Sequence, residues 1–180
     1  MLDRLFLIGP MGAGKTSLGK LVAASLGYQF IDSDHVIEEL TGVDIPTIFY
    51  YEGEKGFRHR EQQVIDHLTR QPHIVLATGG GAVLSPFNRK CLGARGCVVY
   101  LEVSVEQQLK RTSRDSSRPL LQVDDPGKKL RELARERSPL YESLADIRID
   151  TNQGNIHGIK RKILSEFEQQ RSFAGLPSTR

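Results

Sequence analysis

Short apolar runs alternate along the chain with longer stretches in which apolar positions recur every three or four residues. Leu5-Phe6-Leu7-Ile8 contains no polar position, and comparable short blocks predict strands near 4–8, 28–31, 73–78, 97–102 and 146–150. Between them the period lengthens. Leu18, Leu21, Val22 and Leu26 form one helical stripe, and the same reasoning predicts helices at 15–26, 34–41, about 45–70, 86–93, 104–112, 126–143 and 155–170. Strands that alternate with helices specify an α/β fold, a parallel sheet covered on both faces. Ligands in such sheets sit at the carboxyl ends of the strands. The stretch from Gln169 to Arg180, with Gly175, Pro177 and Ser178, reads as a frayed tail.

Composition narrows the class. A chain of 180 residues suits one domain, taken as 1–170 with a flexible tail at 171–180. A hydrophobic content of 38% and a charged content of 26% are ordinary for a globular protein. No apolar stretch approaches a membrane span, and the first apolar run leads straight into a glycine-rich loop rather than a secretory cleavage site. Cys91 and Cys97 are too few for a disulfide framework, so a cytoplasmic setting is expected. Basic residues cluster between Arg111 and Arg118 and between Lys128 and Arg137, yet the net charge is only +3. The second cluster is the solvated face of a helix whose apolar side is Leu130, Leu133 and Ala134. Neither cluster makes the concentrated basic face of a nucleic-acid binder. The five histidines, at 35, 59, 67, 73 and 157, lack zinc-ligand spacing. A monomer acting on a small molecule is expected, with no nucleic-acid or membrane partner.

The chemistry begins at Gly9-Pro10-Met11-Gly12-Ala13-Gly14-Lys15-Thr16, which fits G-x-x-x-x-G-K-[S/T] between a strand and a helix. Glycines let backbone N–H groups converge on phosphate oxygens, and the following helix adds its positive end. Lys15 supplies a point charge for the β- and γ-phosphates, and the Thr16 hydroxyl suits a Mg²⁺ shell. A nucleotide with Mg²⁺ is the implied ligand. Asp32 and Asp34 follow the second strand; one can hold the metal's shell while the other takes or orients a proton, or Asp32 or Ser33 caps the next helix. Thr78-Gly79-Gly80-Gly81 follows the third strand, and three glycines suggest a ligand hydroxyl held by backbone amides. The polar stretch Arg111 to Leu121 suits a lid, at about 112–124, whose arginine reaches the transferring phosphoryl group. Arg58, Glu61 and Arg137 are candidates for gripping an anionic acceptor, since guanidinium forks match carboxylates.

These motifs together resemble the shikimate kinase family: GPMGAGKT at 9–16, DSD at 32–34, FRHRE at 57–61, TGGGAV at 78–83, RPLL at 118–121 and RSPLYESLAD at 137–146. The resemblance runs from Leu5 to about Asp150. It implies a three-layer P-loop kinase fold, with a five-stranded parallel sheet ordered 2-3-1-4-5, a lid and an acceptor-binding region near 33–61. It implies phosphorylation of the 3-hydroxyl of shikimate by ATP on the route to chorismate. Catalytic roles fall by resemblance to Asp34, Lys15 and Arg118. Nucleotide contacts fall to Gly12, Ala13, Gly14, Lys15, Thr16, Ser17, Arg111 (along the adenine) and Arg118. Acceptor contacts fall to Asp34, Arg58, Gly80, Gly81 and Arg137, with Glu61 supporting Arg58 and with Ile45, Phe49, Phe57, Pro119 and Leu120 as apolar walls. Thr16 and Asp32 are the metal-side pair. The loop from Thr151 to Ile156 has no clear counterpart. The alternatives are a kinase of the same architecture for gluconate or a nucleoside monophosphate, and a non-catalytic nucleotide-binding module.

Overall fold

The computed structural model describes residues 3–112 and 123–174. In chain order the elements are β1 (Arg4–Ile8), α1 (Lys15–Leu26), β2 (Gln29–Asp32), α2 (Ser33–Thr41), α3 (Ile45–Leu68), β3 (Ile74–Ala77), α4 (Pro86–Arg95), β4 (Cys97–Glu102), α5 (Val105–Thr112), α6 (Pro126–Leu144), β5 (Ile147–Asp150) and α7 (Ile156–Ala174). The five strands pair in parallel in the order β2-β3-β1-β4-β5. Because β1 lies in the middle, its alternate residues feed two cores. Phe6 and Ile8 join Ile37, Ile65, Leu76, Leu92 and Tyr141 on one face, while Leu5 and Leu7 join Leu18, Val22, Ile149, Ile163 and Phe167 on the other. A strand with both faces buried reads as an unbroken apolar run, which is the pattern at 5–8.

Caps set the helix boundaries. Ser85 accepts from the Asn88 amide to start α4, and Asp125 accepts from the Lys128 amide to start α6. Asp44 accepts from the Thr47 amide, and Glu38 of α2 accepts from the Ile45 amide at 3.1 Å, so the α2–α3 corner is fixed twice.

Three local features differ from the pattern's expectation. The stretch expected as one long helix at 45–70 is broken at Gly53, whose φ of 67° and ψ of 179° belong almost only to glycine. Across the break Glu52 accepts two hydrogen bonds from Arg60, at 2.8 and 2.6 Å. Eight residues of unbroken helix would separate them by about 12 Å. A 3₁₀ turn at Ala82–Leu84, which no periodicity announced, follows the glycines after β3. Finally, α7 continues to Ala174, so residues 171–174 are helical rather than tail; Arg171 there pairs with Glu168 at 2.8 Å and packs over Phe167. Residues 175–180 lie outside the described residues, as do 113–122 of the expected lid.

Candidate active site

The carboxyl ends of the strands open into one cleft of about 610 Å³. Gly12, Gly14, Lys15, Thr16, Ser17, Asp32, Asp34, Arg58, Glu61, Gly80, Gly81, Arg111 and Arg137 all line it, along with the apolar residues Ile45, Phe49 and Phe57. Ala13 does not; it is buried behind the loop, its amide donating to the Pro10 carbonyl. Arg118, Pro119 and Leu120 lie outside the described residues.

The phosphate loop connects β1 to α1. Gly14 caps α1 in the left-handed region, with φ of 90°, so the first amides of the helix face the cleft. Lys15 folds back over the loop, its Nζ donating to the carbonyls of Gly9 at 2.7 Å and Pro10 at 2.8 Å. Thr16 donates from its hydroxyl to Asp32 Oδ2 at 2.8 Å. The other Asp32 oxygen accepts from the Asp34 amide at 3.1 Å and caps α2. The capping alternative therefore holds for Asp32, whose two oxygens take the Thr16 hydroxyl and the Asp34 amide. Ser33 instead accepts from the Gly79 amide at 3.2 Å, tying α2 to the loop after β3.

Asp34 sits in the first turn of α2 at the cleft's mouth, with its Oδ1 buried and without a hydrogen-bond partner among the described residues. Burial, reinforced by Asp32 and Glu61 and opposed by Lys15 and Arg58, pushes its carboxyl up to about 7. A carboxyl held there can exchange a proton near neutrality. Glu61 is fully buried on α3 and accepts from Arg58 Nη1 at 2.8 Å. Burial raises its carboxyl also, against the pull of Arg58 and Arg137. Burial opposes the charge on Arg58, but Glu61 and Glu54 outweigh it and hold the guanidinium charged. Arg58 packs over Phe57, which contacts Phe49 at 4.9 Å between ring centroids. Arg137 is buried on α6, and its Nε has no hydrogen-bond partner among the described residues. Two guanidinium groups thus converge from separate helices on the side of the cleft that holds Asp34.

The glycines after β3 make room chiefly for the protein's own charged side chains. A Cβ on Gly79 would stand 2.7 Å from Asp34 Oδ1 and 2.9 Å from Glu61 Oε1, and one on Gly81 would overlap the Arg58 guanidinium. Gly80 would tolerate a Cβ at ordinary distances. Besides the ligand hydroxyl expected there, the side chains of Asp34, Glu61 and Arg58 approach Gly79 and Gly81 closely. Tyr141, which sequence reasoning passed over, donates from its hydroxyl to the Gly80 carbonyl. On the opposite side, Arg111 donates to the Gly12 carbonyl at 2.9 Å and to the Thr151 carbonyl at 2.6 Å, bridging the phosphate loop and the loop after β5. Glu38 and His35 also reach the cleft unforeseen.

A 2-3-1-4-5 parallel sheet carrying a phosphate loop at its central strand, beside a carboxylate and two guanidinium groups, defines a P-loop small-molecule kinase. The shikimate kinase family model matches residues 11–168. Shikimate kinases from Methylococcus capsulatus and Halorhodospira halophila are 54% and 53% identical to the chain, over 92% and 94% of its length and 92% and 96% of theirs. The chain belongs to the shikimate kinase family. Among solved structures, shikimate kinase from Acinetobacter baumannii in complex with shikimate superposes with a TM-score of 0.92 at 51% identity, covering 94% of this chain and 95% of that one. A gluconokinase from Sinorhizobium meliloti shares the fold alone, at 15% identity and a TM-score of 0.61.

Proposed function

We propose that the chain transfers the γ-phosphoryl group of ATP to the 3-hydroxyl of shikimate, giving 3-phosphoshikimate and ADP, with the residues of the cleft in the following roles. The observation that carries this reading is the joint placement of a phosphate loop, a buried carboxylate and two guanidinium groups around one cleft. Arg58 and Arg137 clamp the acceptor's carboxylate, and Glu61 holds Arg58 in place. The acceptor hydroxyl then lies against Asp34, which takes its proton as the oxygen attacks phosphorus in line. Lys15 lies at the loop's mouth, where charge accumulates on the transferring group. Arg118 is assigned to the same charge from the segment between α5 and α6. Arg111 sits between Gly12 and Thr151, where it walls the nucleotide end.

Thr16 and Asp32 suit Mg²⁺: they are hard oxygen donors 2.8 Å apart beside the phosphate loop, and this ion commonly takes only one or two protein ligands beside substrate phosphates. When bound it neutralises developing phosphate charge. No group of three or more candidate metal ligands occurs among the described residues, and no helix there is long and apolar enough to cross a membrane. The working form is a cytoplasmic monomer on this reading, and an elution volume for twice the mass of 20.1 kDa would contradict it.

A coupled assay for ADP tests the reaction. ADP formation should depend on shikimate, with little released in its absence and none of the rate recovered by gluconate or a nucleoside monophosphate. Shikimate-independent ADP formation at the same rate would refute the acceptor.

A further inference from the structure

Tyr141 is a buried aromatic on α6 that the chemistry above does not use. Its ring stacks on Tyr100 of β4, with centroids 5.1 Å apart and planes inclined by 23°. Its hydroxyl donates to the Gly80 carbonyl in the loop after β3, at 2.5 Å. Burial pushes that hydroxyl well above its ordinary range, so it stays protonated and remains a donor. The surrounding bonds give this contact its meaning. Of the three glycine carbonyls, those of Gly79 and Gly81 accept from the Ala82 and Leu84 amides of the 3₁₀ turn, and that of Gly80 accepts from Tyr141.

The bond acts on the middle peptide of the loop. In a trans peptide the carbonyl and the following N–H point in opposite directions. Fixing the Gly80 carbonyl towards α6 therefore turns the Gly81 N–H away from α6. Gly81 is also where Arg58 packs so closely that a Cβ would overlap its guanidinium. One helical turn before Tyr141, on the same face of α6, stands Arg137. The Tyr141 hydroxyl thus joins the helix that carries one acceptor arginine to the loop that the other rests on.

We propose that Tyr141 is a positioning residue for the acceptor, holding the Gly80–Gly81 peptide so that its amide and the Arg58 and Arg137 forks keep one mutual orientation. The inference rests on the acceptor reading given above. The competing account is a packed core aromatic with an incidental hydroxyl.

Tyr141→Phe retains the ring and removes the hydroxyl, with its bond to Gly80 and its contact with Arg137. We expect its KM for shikimate to rise about tenfold, the scale of one lost hydrogen bond, with kcat within about threefold and the nucleotide KM within about twofold of wild type. Tyr100→Leu removes the stacking partner and leaves the hydroxyl; it should lower Tm while leaving the shikimate KM within about twofold. An unchanged shikimate KM in Tyr141→Phe overturns the proposal. So does an equal rise for both substrates, or a rise in Tyr100→Leu as large as in Tyr141→Phe. If Tyr141→Phe is too unstable to assay at 25 °C, shikimate affinity measured by titration calorimetry about 20 °C below its Tm decides on the same thresholds. Wild type active on shikimate with an unaffected variant removes the Tyr141 role alone; wild type inert towards shikimate removes the acceptor reading with it.

Discussion

At the residue scale, Asp34 carries a conflict between folding and chemistry. Its carboxyl is pushed up to about 7 from an ordinary value of 3.8, mainly by burial. Between those values the folded chain holds a proton that the unfolded chain releases. The contribution of Asp34 to stability is therefore complete below about 3.8 and is lost as pH rises through 7. Asp34→Asn removes the ionisation. The variant should be more stable than wild type at pH 8 by about 1–3 kcal/mol, a Tm gain of a few degrees, with the difference shrinking towards pH 5. Activity should move the other way, with kcat down by about 10²–10⁴ while ATP still binds. In wild type the kcat/KM for shikimate should climb with pH and level off above about 7 as Asp34 loses its proton. A variant that is both active and no more stable would place the ionisable group elsewhere.

At the element scale, the break in α3 shapes one wall of the cleft. Ile45 and Phe49 line the cleft before Gly53, and Phe57, Arg58 and Glu61 line it after. A Cβ at Gly53 would meet nothing within 4 Å, so Gly53→Ala tests backbone strain without a clash. The cost should be about 1–3 kcal/mol, read as a lower urea midpoint at constant m-value. Residues of both halves of α3 line the cleft, so on the proposed acceptor reading the same variant should also raise the shikimate KM. The break was not legible in the sequence. Apolar periodicity carries across it in Ile48, Phe49, Phe57 and Val64, and Gly53 and Gly56 are equally plausible interruptions of a helix. What separates them is tertiary: Arg60 reaches back to Glu52 only if the chain bends at Gly53. The strands and most of the other helices were legible, since their buried faces fix their period, and α4 and α6 start at Ser85 and Asp125 followed directly by Pro.

At the scale of the whole molecule, the sheet assembles the site by bringing the ends of β1, β2 and β3 and residues of α1, α2, α3, α5 and α6 to one edge. The residues of the phosphate loop, the Asp32–Asp34 pair and the three glycines could be read from local motifs, because each lies within a few residues of a strand end. Tyr141 could not: it lies in the RSPLYESLAD stretch, but its bond is to Gly80, 61 positions away, and nothing local announces it. Arg111 was assigned to the nucleotide by resemblance; the structure shows it bonded to the Gly12 and Thr151 carbonyls, a pairing with no local signal in the sequence. The same geometry divides the cleft. Arg111 belongs to the end built by the phosphate loop and the β5–α7 loop, whereas Arg137 belongs to the end built by α3, α6 and the loop after β3. Lys15 and Asp34 line the same cleft. Arg111→Ala should therefore raise the ATP KM about tenfold and leave the shikimate KM within about twofold, as expected when a ground-state contact to one substrate is lost. Arg137→Lys keeps the charge but loses the fork, so it should raise the shikimate KM by about 10–100-fold and spare ATP. Combined in one chain, the two changes should multiply in kcat/KM, because the residues would grip different molecules and share no hydrogen-bond partner among the described residues. A double variant whose loss departs from that product by more than about threefold would mean that closing one end of the cleft reshapes the other, and the division into two independent ends would have to be abandoned.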